Sequence, residues 1–584
     1  MKKYILGSLS VLLLFFSGCD FSSVMEELVS YSGLEFKSSN VWNYSEGNDV
    51  FIVDEEVSSV TINGNIGGKT LYAAEFNTAA NDIGKEYVKY VNTSRSAEIV
   101  DPENLEFSSV SDDPLSFGYG HYIGYNFKPN LDDLPDSRAS IVPTISASKI
   151  SSYTVGSTSK AMWTAASEDS RGNTTFSKKT AVLAAYNDIC NVWIVEGDRY
   201  ISVDTTGRNV ASKFAGAFAT FYPFVRAVFG NESDSIITRY SEESMETASE
   251  TGTKVNIVIY DLFNDGTNGS TVGFFSNGDY YSSSLYEYTN TGKYFYVDSY
   301  FATSSEVKTS VVSTLAHEFQ HMINFSIKNK KNLDIDTNFN EMLSMLCEDM
   351  IQKLLNDKGY TVSAESGPKG RLTHFFIQYY LAGIRDYDNT ALSYANAFAF
   401  GSWLCRQYGG AALVREMMRN GMANNDCIVA AVNSLTGENY SFNDLFSQFI
   451  KACYGKDSKY TFNQNAGTTF THTDGSTSYN YPMTAIDFNS SICDLAKNYT
   501  DYEGRKRSFK EILDMSVGSG AISEDYNYAG PVVFTNARAK MYKNYGLFLQ
   551  RVGGFQSGRK TFTASFTSSS GKTREGMKLL LYIK

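Results

Sequence analysis

Residues 313–325 read STLAHEFQHMINF, and the pentapeptide His317-Glu318-Phe319-Gln320-His321 inside them decides how the rest of the chain is read. The 584 residues hold five histidines, and two of them fall here. An H-E-x-x-H arises by chance on the order of once in 500 chains of such composition. Spacing i, i+4 puts both imidazoles on one helix face, where they can share a metal ion. Thr303 and Glu306 fit a capping box, and Val307, Val311, Leu315, Phe319 and Met322 form an apolar stripe. On a helical wheel His317 and His321 lie opposite that stripe, beside Ser310, Thr314 and Asn324. Ordinary core histidines would not sit there.

Two histidines do not complete a catalytic zinc site. Downstream, Asn340-Glu341-Met342-Leu343-Ser344 opens a second predicted helix, whose apolar side is Phe339, Leu343, Leu346 and Met350. Glu341 projects from the other side, 20 residues after His321.

H-E-x-x-H followed at this interval by N-E-x-x-S resembles the thermolysin-like gluzincins. The strings STLAHEFQHMINF and FNEMLSMLCED are similar to the hyicolysin-like metallopeptidases within that group. The resemblance covers about residues 175–455. It implies a zincin-type catalytic domain, with an α/β upper part and a helical lower part. It also implies one Zn²⁺ held by His317, His321 and Glu341, with an open position for water. Glu318 would then be the general base of peptide-bond hydrolysis. Metzincins would need a third His in H-x-x-G-x-x-H, and none follows.

One position departs from the pattern. Thermolysin-like enzymes carry an Asp four residues after the ligand Glu, bonded to a zinc-bound imidazole; here Met345 stands there. Glu348, seven residues on and on the same face, is the expected substitute, with Asp349 less well aimed. His374, Tyr379, Tyr380 and Tyr394 are the candidates for the donor to the oxyanion, His374 first because histidine is scarce. The strand near Tyr294–Val297 is expected to pair with an extended peptide through its edge.

Outward from the motif, the chain reads as an α+β multidomain protein. Length alone suggests about 3–4 domains. Residues 19–174 read as a tether and β-rich domain, 175–510 as the metallopeptidase domain, and 511–584 as a further β-rich segment. Tyr72, Ala74 and Phe76 alternate like a strand, as do Phe562, Ala564 and Phe566. Residues 146–178 read as a linker or irregular edge strands, and 391–408 as a packing helix closed by Gly409-Gly410.

Lys2 and Lys3 followed by an apolar run and Phe16-Ser17-Gly18-Cys19 read as a lipoprotein signal at 1–18. Cys19 would be acylated, tethering the protein in the bacterial envelope or on the cell surface, outside the cytoplasm. The run Ile5–Ser17 is shorter than the roughly 20 residues that span a bilayer. A net charge of −13 excludes nucleic acid as a partner and leaves a protein or peptide substrate. Cys190, Cys347, Cys405, Cys427, Cys453 and Cys493 contain no C-x-x-C pair; their even number permits disulfides, though Cys347 reads as a buried thiol. Asp261–Gly269 is rich in oxygen donors but lacks EF-hand spacing, so it reads as a loop, with Ca²⁺ as the alternative. Two rival readings stand beside the peptidase. One is a catalytically inactive, peptidase-like adhesion or binding lipoprotein, to which Met345 lends weight. The other is a structural zinc site, which needs a fourth protein ligand.

Overall fold

The computed structural model describes residues 40–92, 153–454, 470–481, 531–534 and 539–584, apart from short stretches such as 304–309 and 361–367. Cys19 and the signal, Glu306, Val307 and Cys493 lie outside the described residues. The chain mixes helices and sheets.

Six strands come first: β1 (Asn40–Asn43), β2 (Val50–Asp54), β3 (Ser59–Asn63), β4 (Thr70–Asn77), β5 (Ile83–Glu86) and β6 (Lys89–Asn92). The next group is β7 (Ser159–Glu168), β8 (Thr174–Tyr186), β9 (Cys190–Val195), β10 (Ser235–Tyr240), β11 (Met245–Ser249), β12 (Val255–Tyr260), β13 (Gly273–Phe275) and β14 (Tyr294–Asp298). Six of these form one mixed sheet in the order β13-β14-β12-β9-β8-β7. The strands β9, β12 and β14 run parallel, and their side chains are buried almost without exception, as in a sheet covered on both faces. The stretch 146–178 contains β7 and the start of β8; β7 is the outer strand of the sheet, so the edge-strand reading stands and the linker reading does not. A domain boundary at 174 would cut through the β7–β8 hairpin.

The helices are α1 (Thr205–Phe229), α2 (Ser299–Thr303), α3 (Ser310–Ile327), α4 (Thr337–Asp357), α5 (Pro368–Gln378), α6 (Thr390–Tyr408), α7 (Ala411–Arg419), α8 (Asn424–Thr436) and α9 (Phe442–Cys453). Asp204 caps α1, its carboxylate accepting from Gly207 N at 2.9 Å. Phe218 and Tyr222 of α1 lie 5.1 and 5.2 Å from the Phe319 ring, so the apolar stripe of α3 packs where its periodicity points. Burying a side chain such as Phe319 stabilises by about 1.5–3 kcal/mol. Thr303 lies in α2, and its hydroxyl donates back to the Ser299 carbonyl at 2.8 Å, while Glu306, its expected capping partner, lies outside the described residues.

The last strands are β15 (Phe470–Asp474), β16 (Thr477–Tyr481), β17 (Ala539–Met541), β18 (Gly546–Gly554), β19 (Thr561–Thr567) and β20 (Met577–Ile583). Strands β15 and β16 pair with each other, whereas β17 to β20 pair with the first strands. Strand β19 lies between β3 and β6, and β20 between β2 and β4, giving two four-stranded sheets, β1-β3-β19-β6 and β18-β4-β20-β2. The two β-rich ends of the chain are therefore one interleaved unit. Their common core holds Trp42, Val60, Ile62, Leu71, Phe562, Ala564, Leu579 and Leu581. That unit is fastened to the helices. Tyr379 donates its hydroxyl to the Val532 carbonyl at 2.9 Å and accepts from Leu549 N at 3.0 Å, while Arg385 N bonds Asn544 O at 2.9 Å.

Candidate metal centre

Helix α3 brings His317, Glu318 and His321 into the interior with Gln320, Thr314 and Asn324, so its polar face is as buried as its apolar stripe. Helix α4 starts at Asp336, whose side chain accepts from Phe339 N at 2.6 Å and which pairs with Arg385 at 2.9 Å. Asn324 donates to Asn340 at 2.6 Å, locking α3 to α4 and setting Glu341 opposite the histidines. Gly401 of α6 permits close packing on the far side: a Cβ there would stand 2.6 Å from Met342 Cγ.

His317 Nε2 lies 3.0 Å from Glu341 Oε2, and His321 Nε2 lies 3.5 Å from Glu341 Oε1. One donor atom from each of the three falls within 4.8 Å of the others. Three side chains converge in this group among the described residues, where a closed structural zinc site would need four. Each histidine is held by its other nitrogen. His317 Nδ1 meets Glu348 Oε1 at 2.7 Å, and Glu348 Oε1 also accepts from Arg371 Nη2 at 2.7 Å. His321 Nδ1 lies 3.1 Å from Ser344 Oγ, which donates to Gln320. Asp349, the poorer candidate, faces away in a two-pronged pair with Arg406 at 2.8 and 3.1 Å.

The charges respond to one another. Burial alone would push the His317 imidazole down, but Glu341 and Glu348 override it and hold it up at about 10. Burial would raise Glu341; His321 and His317 bring it down to about 2. Glu348 is also lowered against its burial, by Arg371 first and then His317. Glu318 behaves in the opposite way. Desolvation pushes it up to about 7, with the two histidines only partly opposing. Its Oε2 has no hydrogen-bond partner among the described residues, and Glu341 Oε1 has only the long 3.5 Å approach of His321 Nε2. Buried acceptors of this kind need a partner. Two imidazole nitrogens and one carboxylate oxygen, with a second carboxylate alongside, are a donor set that zinc takes. The residues fit the ion.

Strand β13 passes directly over this face. A Cβ on Gly273 would stand 2.7 Å from Thr314 Cγ2, 2.9 Å from Tyr296 O and 3.5 Å from Glu318 Cγ. The expected peptide-pairing strand must be corrected on this point. Tyr294–Val297 belongs to β14, which is hydrogen-bonded on both sides, to β12 and β13; the outer strand beside the site is β13.

The oxyanion candidates separate. Tyr394 stands beside the centre, its ring 6.4 Å from that of His317 and its hydroxyl 3.2 Å from that of Tyr387. Burial first, then the charge of Glu341, raises both phenols. Tyr379 does not serve, because its hydroxyl bonds the Val532 and Leu549 backbone. Tyr380 packs edge-on against Phe534 at 5.2 Å. His374 lies on α5 one turn beyond Arg371 and is not among the metal-binding groups found in the described residues. Arg371 and Tyr387 were not foreseen, since no local spacing marks them. Ser344 could have been, because it follows Glu341 by one helical turn.

Asp261 and Asp265 of the suspected calcium loop meet Asp298 at the end of β14, with carboxylate oxygens within 4.8 Å. Arg199 pairs with Asp261 at 3.0 Å, and Asp298 accepts from Leu262 N, Tyr300 N and Phe301 N, so two of the three carboxylates have protein partners. Cys190, Cys347, Cys405, Cys427 and Cys453 are buried free thiols rather than disulfides.

No known family model matches the chain. Over 293 residues it is 26% identical to the neutral metalloprotease ShpI of Staphylococcus hyicus, a match covering 48% of this chain and 60% of that protein. The chain thus spans less than two thirds of the relative's length. The similarity supports a metallopeptidase with a metal cofactor.

Proposed function

We propose that the chain is a zinc-dependent endopeptidase of the gluzincin type, anchored through Cys19 outside the bacterial cytoplasm. The observation that carries this reading is the convergence of His317, His321 and Glu341 beside a buried, unsatisfied Glu318 carboxylate. His317, His321 and Glu341 would hold the zinc. When bound there, zinc lowers the pKa of water and polarises a carbonyl. Glu318 takes the proton from the attacking water and passes it to the leaving amine. Its desolvated setting pushes the carboxyl above the usual range, which suits a group that must both accept and release a proton. The Tyr387–Tyr394 pair supplies hydroxyls on the side where carbonyl charge develops. Strand β13 offers its edge to an extended peptide, beside Glu318. Glu348 occupies the role left open by Met345, which removes the main argument for an inactive binding protein. The test is cleavage of a peptide library with and without chelator, alongside zinc content. About one equivalent of zinc and chelator-sensitive cleavage support the reading. Zinc-loaded protein that cleaves none of the library overturns it.

A further inference from the structure

We infer that Arg371 is a positioning residue of the metal centre, acting through Glu348 on His317. This rests on the reading of His317, His321 and Glu341 as metal donors. Glu348 Oε1 is shared: it lies 2.7 Å from His317 Nδ1 and accepts from Arg371 Nη2 at 2.7 Å. Glu348 Oε2 has no hydrogen-bond partner among the described residues. The carboxylate is therefore aimed by two donors on one oxygen. Arg371 is itself fixed, lying over the Phe398 ring of α6 with 5.6 Å between guanidinium carbon and ring centroid. The neighbouring Arg406 cannot stand in, because Asp349 holds it by both prongs.

Charge leads to the same residue. Glu318, Glu341 and Glu348 are three buried carboxylates, and Arg371 is the cation paired to one of them. A divalent metal ion brings this group of residues to neutrality. Without Arg371 the centre keeps one uncompensated buried charge, which is strongly unfavourable. Glu348 is the group free to relieve it, by turning away from His317. His317 then loses the acceptor that fixes its ring and its tautomer.

The experiment uses the full chain as wild type, R371M, R371K, E348Q, E348Q/R371M and H317A. Zn²⁺ affinity is read by competition with a chromophoric chelator, visible absorption from the Co²⁺-loaded forms, and folding from melting of the metal-free forms. E348Q and R371M should each weaken Zn²⁺ by about 10–100-fold and perturb the Co²⁺ spectrum in the same way. R371K should recover part of the loss, because the observed contact uses one nitrogen. With Glu348 already an amide, adding R371M should change Zn²⁺ affinity no further. This comparison decides the matter even when R371M alone does not fold. Wild-type or tighter zinc binding in folded R371M overturns the inference, as does a further loss in E348Q/R371M beyond E348Q. Wild-type protein that takes up no zinc, or H317A that binds it unchanged, overturns the metal-centre reading itself.

Discussion

Glu318→Gln keeps the side chain's size and hydrogen bonding but removes the base. Zinc should stay near one equivalent while hydrolysis falls by about 10²–10⁴-fold, measured as kcat on one peptide. Loss of zinc together with activity would make Glu318 structural. Glu341→Ala should release zinc to a competing chelator far more readily than Glu348→Ala, since one removes a donor and the other an orienting contact. Equal retention in the two variants would refute the assignment. His317 and His321 were legible as a pair because helical spacing puts them on one face, while Glu341 entered through the resemblance to the gluzincins. Arg371 and Tyr387 come from later elements and reach the centre through tertiary packing, which leaves no periodic trace. Tyr379 misled for a related reason. A polar aromatic near the motif reads the same whether its hydroxyl faces a substrate or, as here, two backbone groups.

Strand β13 can lie on α3 only because residue 273 lacks a side chain. Gly273→Ala forces a methyl into Thr314 and the Tyr296 carbonyl, a crowding that typically destabilises by about 1–3 kcal/mol. Denaturant unfolding should show this, and kcat should fall with it because Glu318 is the next neighbour. The segment between β13 and β14 is tied down by Asp279, which accepts from Asn290 N and the Tyr296 hydroxyl, each at 2.6 Å. Burial pushes this carboxyl up to about 7, against the opposing pull of Tyr296, Asn290 and Lys160. A carboxyl with a raised folded pKa binds its proton more tightly when folded. Its contribution is therefore full below about pH 4 and is lost as pH rises through about 7, each pKa unit being worth about 1.4 kcal/mol. Asp279→Asn should flatten the stability–pH curve over that window; an unchanged slope from pH 4.5 to 7.5 would show that Asp279 does not drive it. Elements of this kind were mostly legible. The runs VNIVIY and YFYV read as strands from their composition. Their order in the sheet did not, because consecutive apolar runs carry no information about which neighbour they take. Hence the sequence points to β14 as the peptide edge, whereas β13 is the outer strand.

At the scale of the whole molecule, the pairing of first strands with last is what the sequence concealed. Alternation shows that 70–77 and 561–567 are strands, but sequence distance hides that they share one double-sheeted unit. Tyr379→Phe tests its attachment to the helices. Val532 O and Leu549 N would each lose a buried partner, at about 1–3 kcal/mol per group. Tm should drop while zinc stoichiometry stays unchanged; an unaltered Tm would mean the two bodies are held elsewhere. The same pairing also sets an order of events during synthesis. Thr61 and Thr563 face each other across β3 and β19 although 502 positions apart. At roughly 5–20 residues per second, β3 waits about 25–100 s for its partner to leave the ribosome. The helices carrying the candidate metal centre are made within that interval. The earliest strands are thus the last to be buried, and until then they hold open sheet edges able to capture another nascent copy.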